Sequence, residues 1–141
     1  MKKVVLEDLK INIKIKLAFL WASVTFLYLY GDYFELYIPE KTAGLIDGNN
    51  LLNSPVKLFL ASLLLAIPAL MVCFSILAKP RLNKLLNILV GLFFTAIMLL
   101  IAITSISEWR AFYVFYALLE SALTFVIVWT AFKWPKQTEL T

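Results

Sequence analysis

The sequence contains no histidine and a single cysteine, Cys73. Without an imidazole there is no histidine-based acid–base chemistry, no histidine-ligated haem and none of the usual zinc sites. One cysteine excludes an intrachain disulfide and a cysteine-cluster metal site. Charge is scarce as well: Asp, Glu, Lys and Arg make up 16% of the 141 residues, whereas 62% are hydrophobic. Soluble domains average about 45–50% apolar residues. The chain therefore reads as an integral membrane protein.

The apolar residues fall into four runs, 17–38, 56–78, 85–107 and 111–132. A membrane-spanning helix needs about 20 such residues, so the four runs use most of the chain and leave only short loops and tails. The expectation is an all-α, integral membrane four-helix bundle forming one transmembrane domain over 1–141. Lysines precede the first run as in a signal peptide, but its apolar core is too long and no small-residue cleavage site follows. Ser54-Pro55 opens the second run with a good N-cap and a proline suited to the first helical position. Lys79-Pro80 closes it, Pro39 closes the first, and Lys133-Trp134-Pro135 closes the fourth.

Basic residues set the expected orientation. Lys2, Lys3, Lys10, Lys14 and Lys16 precede the first run, Lys79, Arg81 and Lys84 join the second to the third, and Lys133 and Lys136 follow the fourth. Only Lys41, Lys57 and Arg110 fall on the other side, with Asp32, Glu35, Glu40, Asp47 and Glu108. The positive-inside rule then places both termini in the cytoplasm. Tyr30, Tyr33, Tyr37, Trp109 and Tyr113 near the outer ends, and Trp129 and Trp134 near the inner end, suit the two interfaces. In the long loop, Pro39 and Gly48 bracket a short helix over 40–46. Residues 1–16 place Leu6, Leu9 and Ile13 opposite Lys3, Lys10 and Lys14, which is either a helix on the anionic leaflet or a basic tail that only sets topology. The alternation over 11–15 reads locally as strand, with no sheet to join.

Helical spacing sorts the runs into faces. On the first, Ala18, Trp21, Thr25, Tyr28, Asp32 and Glu35 form a stripe expected to face protein, leaving Phe19, Leu20, Val24 and Leu27 for lipid. On the second, Ser62, Ala66, Ala69 and Cys73 form a small-residue face. On the third, Asn87, Gly91, Thr95, Met98 and Ser105 do so. On the fourth, Tyr113, Tyr116, Ala117, Glu120, Ser121 and Thr124 cluster on one side.

Glu120 is the residue most in need of explanation. A carboxylate at the middle of a membrane helix costs roughly 2.5–3.5 kcal/mol on insertion scales, so it is expected inside the bundle or at a polar cavity, with a partner. Counting about 1.5 Å per residue from the flanking lysines puts Glu120 and Tyr28 at similar depth. The expected site is a pocket with Glu120 at its floor among Tyr28, Tyr113, Tyr116 and Thr124, and with Asp32, Glu35 and Arg110 at its mouth. Pro68 removes one donor from the second helix, leaving the Leu64 carbonyl free to meet Glu120, a hydroxyl or water; a plain kink is the simpler reading.

Several segments resemble a known family: Leu20-Trp21-Ala22-Ser23, Phe26-Leu27-Tyr28-Leu29-Tyr30-Gly31-Asp32-Tyr33, Ala66-Ile67-Pro68 with Met71, Lys79-Pro80 with Asn83 and Asn87, and the stretch 129–135. Together they resemble a family of small bacterial four-helix integral membrane proteins of unknown function. The resemblance implies the fold, a multi-pass place in a bacterial cytoplasmic (inner) membrane and no established activity, so it transfers no functional residues. The general shape is also similar to that of DoxX-like membrane proteins, without a shared motif.

Three function classes remain. The first is binding or transport of a small cationic or amphipathic ligand, or of a proton, at Glu120. The second is a non-catalytic structural or accessory role, as a homo-oligomer or a subunit of a larger membrane complex, with Glu120 joining helices. The third, a lipid-modifying enzyme, finds no nucleophile beside a base. The expected partners are the lipid bilayer and another copy or membrane protein, not nucleic acid. Nothing in the sequence calls for a cofactor.

Overall fold

A computed structural model of the chain describes residues 8–136. It comprises α1 (Ile13–Glu35), α2 (Lys41–Ile46), α3 (Pro55–Leu77), α4 (Pro80–Thr104), a single 3₁₀ turn (Glu108–Arg110) and α5 (Ala111–Phe132). Among the described residues, four helices are long and apolar enough to cross a membrane: α1, α3, α4, and α5 together with the turn before it.

Local chemistry sets the ends. Asn12 is extended and its Oδ1 accepts from the Lys14 amide at 2.9 Å, so α1 starts four residues before its apolar run. Lys14 and Lys16 therefore ride on the helix. The alternation over 11–15 yields no strand, since Ile13 and Ile15 lie in α1. Leu9 is 77% exposed and residues 8–12 precede the helix. The amphipathic surface helix expected there is thus absent over 8–12, while Lys3 and Leu6 lie outside the described residues. At its far end α1 stops at Glu35, short of Pro39. The chain tightens into i to i−3 bonds, Tyr37 to Phe34 at 3.0 Å and Ile38 to Glu35 at 3.2 Å, because the residue before a proline resists helical geometry.

Ser54 caps α3 as expected, its Oγ accepting from the Lys57 amide at 3.3 Å. Pro80, read as a stop, instead occupies the first turn of α4. Its missing N–H would be unpaired there anyway. The connection from α3 to α4 shrinks to Ala78 and Lys79, and α4 begins five residues before its apolar run.

The helices alternate in direction. The Lys14 ammonium at the start of α1 donates to the carbonyls of Ile76 (3.1 Å) and Ala78 (2.8 Å) at the end of α3. Lys84 at the start of α4 donates to the Phe132 carbonyl, 3.0 Å, at the end of α5. Cations are favourable at helix C-termini, where carbonyls are unpaired. These contacts place the first and last described residues at one end of the bundle, the termini end. Residues 36–54 lie at the other, the loop end. α1 packs between α3 and α5, and α5 packs along α4; α3 and α4 approach each other sparsely despite their short connection.

The buried faces differ from the expected stripes in two helices. On α1, Ala18, Trp21 and the half-buried Tyr28 of the polar stripe face the core as expected, but Leu17, Val24 and Gly31 complete the row in place of Thr25 and Asp32. Val24 is 0% exposed, whereas Asp32 is exposed and Thr25 only half-buried. Thr25 does not need a protein neighbour, because its hydroxyl bonds to the Trp21 carbonyl at 2.9 Å. On α3, Ser62, Ala69 and Cys73 face outward and Ala66 is half-buried; Pro68, Met71 and Ser75 are the buried residues. Ser62 is likewise satisfied by its own helix, at the Leu58 carbonyl 2.8 Å away. α4 buries Asn83, Asn87, Gly91, Phe94, Met98 and Ala102. A Cβ on Gly91 would come within 2.7 Å of Val128 Cγ2 and 3.4 Å of the Thr124 carbonyl, so the close α4–α5 seam depends on this glycine.

Candidate functional site

The loop-end half of the bundle contains a cavity of about 100 Å³ lined by all four long helices. α1 contributes Tyr28, Gly31 and Asp32; α3 contributes Leu64 and Leu65; α4 contributes Phe94, Ile97, Met98 and Ile101; α5 contributes Tyr113, Tyr116, Ala117 and Glu120. Glu120 is 4% exposed. Its backbone carbonyl accepts from the Thr124 hydroxyl at 2.9 Å, but its carboxyl has no hydrogen-bond or ion-pair partner among the described residues. The Tyr28 hydroxyl is also buried without a partner. Buried polar groups are ordinarily paired, because leaving one unpaired costs about 1–3 kcal/mol. The Tyr28 hydroxyl is such a group, and the Glu120 carboxyl stands on the wall of the same cavity.

Tyr28, Tyr113, Tyr116, Glu120 and Asp32 thus share one cavity, and Thr124 does not. Thr124 is fully buried below it in the α4–α5 seam. Thr95 donates to Thr124 at 2.7 Å, and the Thr124 hydroxyl in turn donates to the Glu120 carbonyl at 2.9 Å. The expectation of a hydroxyl bonded to the Glu120 carboxyl fails at every candidate. Thr124, one turn along the same helix, is drawn to the backbone, and the tyrosine rings line the cavity without closing on the acid. Nor does any side chain among the described residues donate to the Leu64 carbonyl opposite Pro68.

The expected mouth divides. Glu35 Oε1 binds Lys41 Nζ at 2.7 Å and Arg110 Nη2 at 3.5 Å, beyond the cavity lining. Lys41, not singled out from the sequence, is thereby the nearer partner. Asp32 has no ion-pair partner among the described residues and remains on the cavity wall.

Beside α5 at the loop end lies a second hollow, a groove of about 440 Å³ walled by Phe34, Tyr37, Ile38, Trp109, Phe112, Phe115 and Tyr116. Tyr116 belongs to both hollows.

The termini-end half is constructed differently. The Trp21 indole donates to Asn87 Oδ1 at 2.8 Å, Asn87 Nδ2 donates to Asn83 Oδ1 at 2.7 Å, and Asn83 Nδ2 donates to the Ser75 carbonyl at 2.6 Å. This chain ties α1, α4 and α3 together, with Asn83, Asn87 and Ser75 essentially inaccessible. From the sequence Asn83 stands only in the family resemblance and not on the polar face of the third run, because it precedes that run's apolar residues. Two asparagines four apart, just after a proline able to start a helix, were the available signal. Phe94 joins the halves: its ring meets Trp21 edge-on at 6.2 Å and Tyr28 at 6.1 Å between centroids.

No curated protein and no solved structure matches the chain. A family model does, over residues 4–141. The match spans all four apolar helices: the chain belongs to the family of unknown function DUF6326.

Proposed function

We propose that the protein is a small multi-pass membrane protein whose Glu120 cavity binds a small cation or a proton. The observation that carries this reading is the Glu120 carboxyl: almost wholly buried, unpartnered among the described residues and on the wall of a hollow about 100 Å³ in volume. One water occupies roughly 10–15 Å³ of such space, and small-molecule pockets start at about 300 Å³. The cavity alone therefore suits a proton, water or a very small cation, with the Tyr28 hydroxyl and the Tyr113 and Tyr116 rings as further ligands. Binding comes first in this reading; transport would require a second opening.

We further propose that the protein sits in a bacterial cytoplasmic membrane with both termini inside. A Cys73→Ala protein carrying Asn49→Cys should react with an impermeant thiol reagent added outside intact cells, and one carrying Lys136→Cys should not. The reverse pattern rejects the orientation.

The binding test is Glu120→Gln, which keeps shape and hydrogen bonding but cannot ionise. Wild-type protein should bind methylammonium saturably in calorimetric titration, and the folded, inserted variant should not. Equal binding by the variant overturns the reading, as does a variant that no longer folds. A structural or accessory role draws its support from a different place, the Trp21–Asn87–Asn83–Ser75 chain, and it expects a dry, bonded Glu120.

A further inference from the structure

The two hollows share one wall residue. Tyr116 walls both the acidic cavity, about 100 Å³, and the aromatic groove, about 440 Å³. On the groove side Phe34 lies nearly parallel to it, at 13° and 6.5 Å between centroids. The groove falls within the size range of small-molecule sites, and the cavity alone does not. Apart from Ile38 the groove walls are aromatic, and aromatic faces attract cations as well as apolar rings.

The surrounding charge is not neutral. Asp32, Glu35, Glu40, Asp47 and Glu108 stand at the loop end against Lys41, Lys57 and Arg110, five acids to three bases. Lys41 and Arg110 are both engaged by Glu35. Asp32 and Glu120 are left to face the cavity. An anionic occupant would meet both acids, and an uncharged acyl chain in the groove would answer neither. The field at this end draws cations.

We propose that the two hollows form one site for an amphipathic organic cation. Its amine enters the acidic cavity toward Glu120 and Asp32, and its aromatic body rests in the groove against Phe115, Trp109 and Phe112. This rests on the reading of Glu120 as a cation site and names the class of molecule that site takes.

The test is calorimetric titration of the full-length protein in micelles with methylammonium, a phenylalkylamine series and the phenylalkanol of matching length. The best phenylalkylamine should bind about three- to tenfold more tightly than methylammonium, the range expected of an aromatic contact. Phe115→Ala should remove that gain and leave methylammonium binding unchanged. Phe115 is 58% exposed, so its loss spares the core; should the variant lose its melting transition, Phe115→Leu, which keeps bulk without the aromatic face, replaces it. Glu120→Gln should abolish binding of both amines, and the alkanol should not bind saturably. Equal affinity for methylammonium and every phenylalkylamine, an unaffected Phe115 variant, or saturable alkanol binding overturns the joined site while the Glu120 reading stands. No binding of any of these amines by the wild type overturns both the joined site and the reading of Glu120 as a cation site.

Discussion

The two halves of this bundle handle buried polarity in opposite ways. At the termini end, Trp21, Asn83, Asn87 and Ser75 are packed tightly and each finds partners within the cluster. At the loop end, Glu120 and Tyr28 are buried beside open space and find no side-chain partner among the described residues. A satisfied network fixes helices relative to one another, whereas an unsatisfied one has capacity left for a ligand. The difference teaches that a polar residue in a membrane helix is not by itself a functional signal; its partners decide.

The comparison can be broken by substitution, with stability read as thermal or denaturant unfolding in micelles. Asn87→Leu should be the most damaging change, at about 2–3 kcal/mol, because it strands the Trp21 indole N–H and the Asn83 Oδ1. A loss below about 0.5 kcal/mol, within the range of ordinary surface substitutions, would mean the termini-end network is not structural. Gly91→Ala should cost about 1–2 kcal/mol through the contact with Val128, and a smaller side chain at 128, Val128→Ala, should restore most of it. If the double variant is no better than the single one, the seam does not depend on that contact.

Lysine caps rank next. Lys14→Gln should cost about 0.3–1 kcal/mol, since the C-terminal carbonyls of α3 lose their cation; added salt should narrow the gap between variant and wild type. Smallest of all should be the loop-end changes. Tyr28→Phe removes an unpaired hydroxyl and should be neutral or stabilising by up to about 1 kcal/mol. A clear destabilisation would show that the hydroxyl is bonded in the membrane, by water or by Glu120. Glu120→Gln exchanges one unpartnered polar group for another of the same shape and should leave the unfolding transition nearly unchanged while abolishing methylammonium binding, the widest separation of stability from function in the molecule.

The positions of the four spans were legible because burial in lipid demands long apolar runs, whatever the packing. α5 begins and ends where its run does. Helix starts were less legible. Asn12 and Pro80 extend α1 and α4 into the lysine-bearing segments before their apolar runs, a tail and a connecting loop by hydropathy, because a cap acts through local geometry rather than hydropathy. The inward faces were partly legible. The α5 cluster from Ala117 to Thr124 is buried, but on α1 Val24 took the core position and Asp32 the exposed one. In lipid, Thr and Ser can satisfy themselves on their own helix, which weakens polarity as a guide to facing.

The sequence by itself determined a four-helix membrane protein with one deeply placed acid, because hydrocarbon tolerates few polar groups and each leaves a mark in composition. Only the tertiary structure decided that Thr124 belongs to a seam and Glu120 to a cavity, that Glu35 rather than Asp32 takes the loop-end cations, and that Asn83 is core. Each of those outcomes depends on which side chains from other helices arrive within hydrogen-bond distance. Spacing along one helix places a residue on a face, but it cannot say what stands opposite.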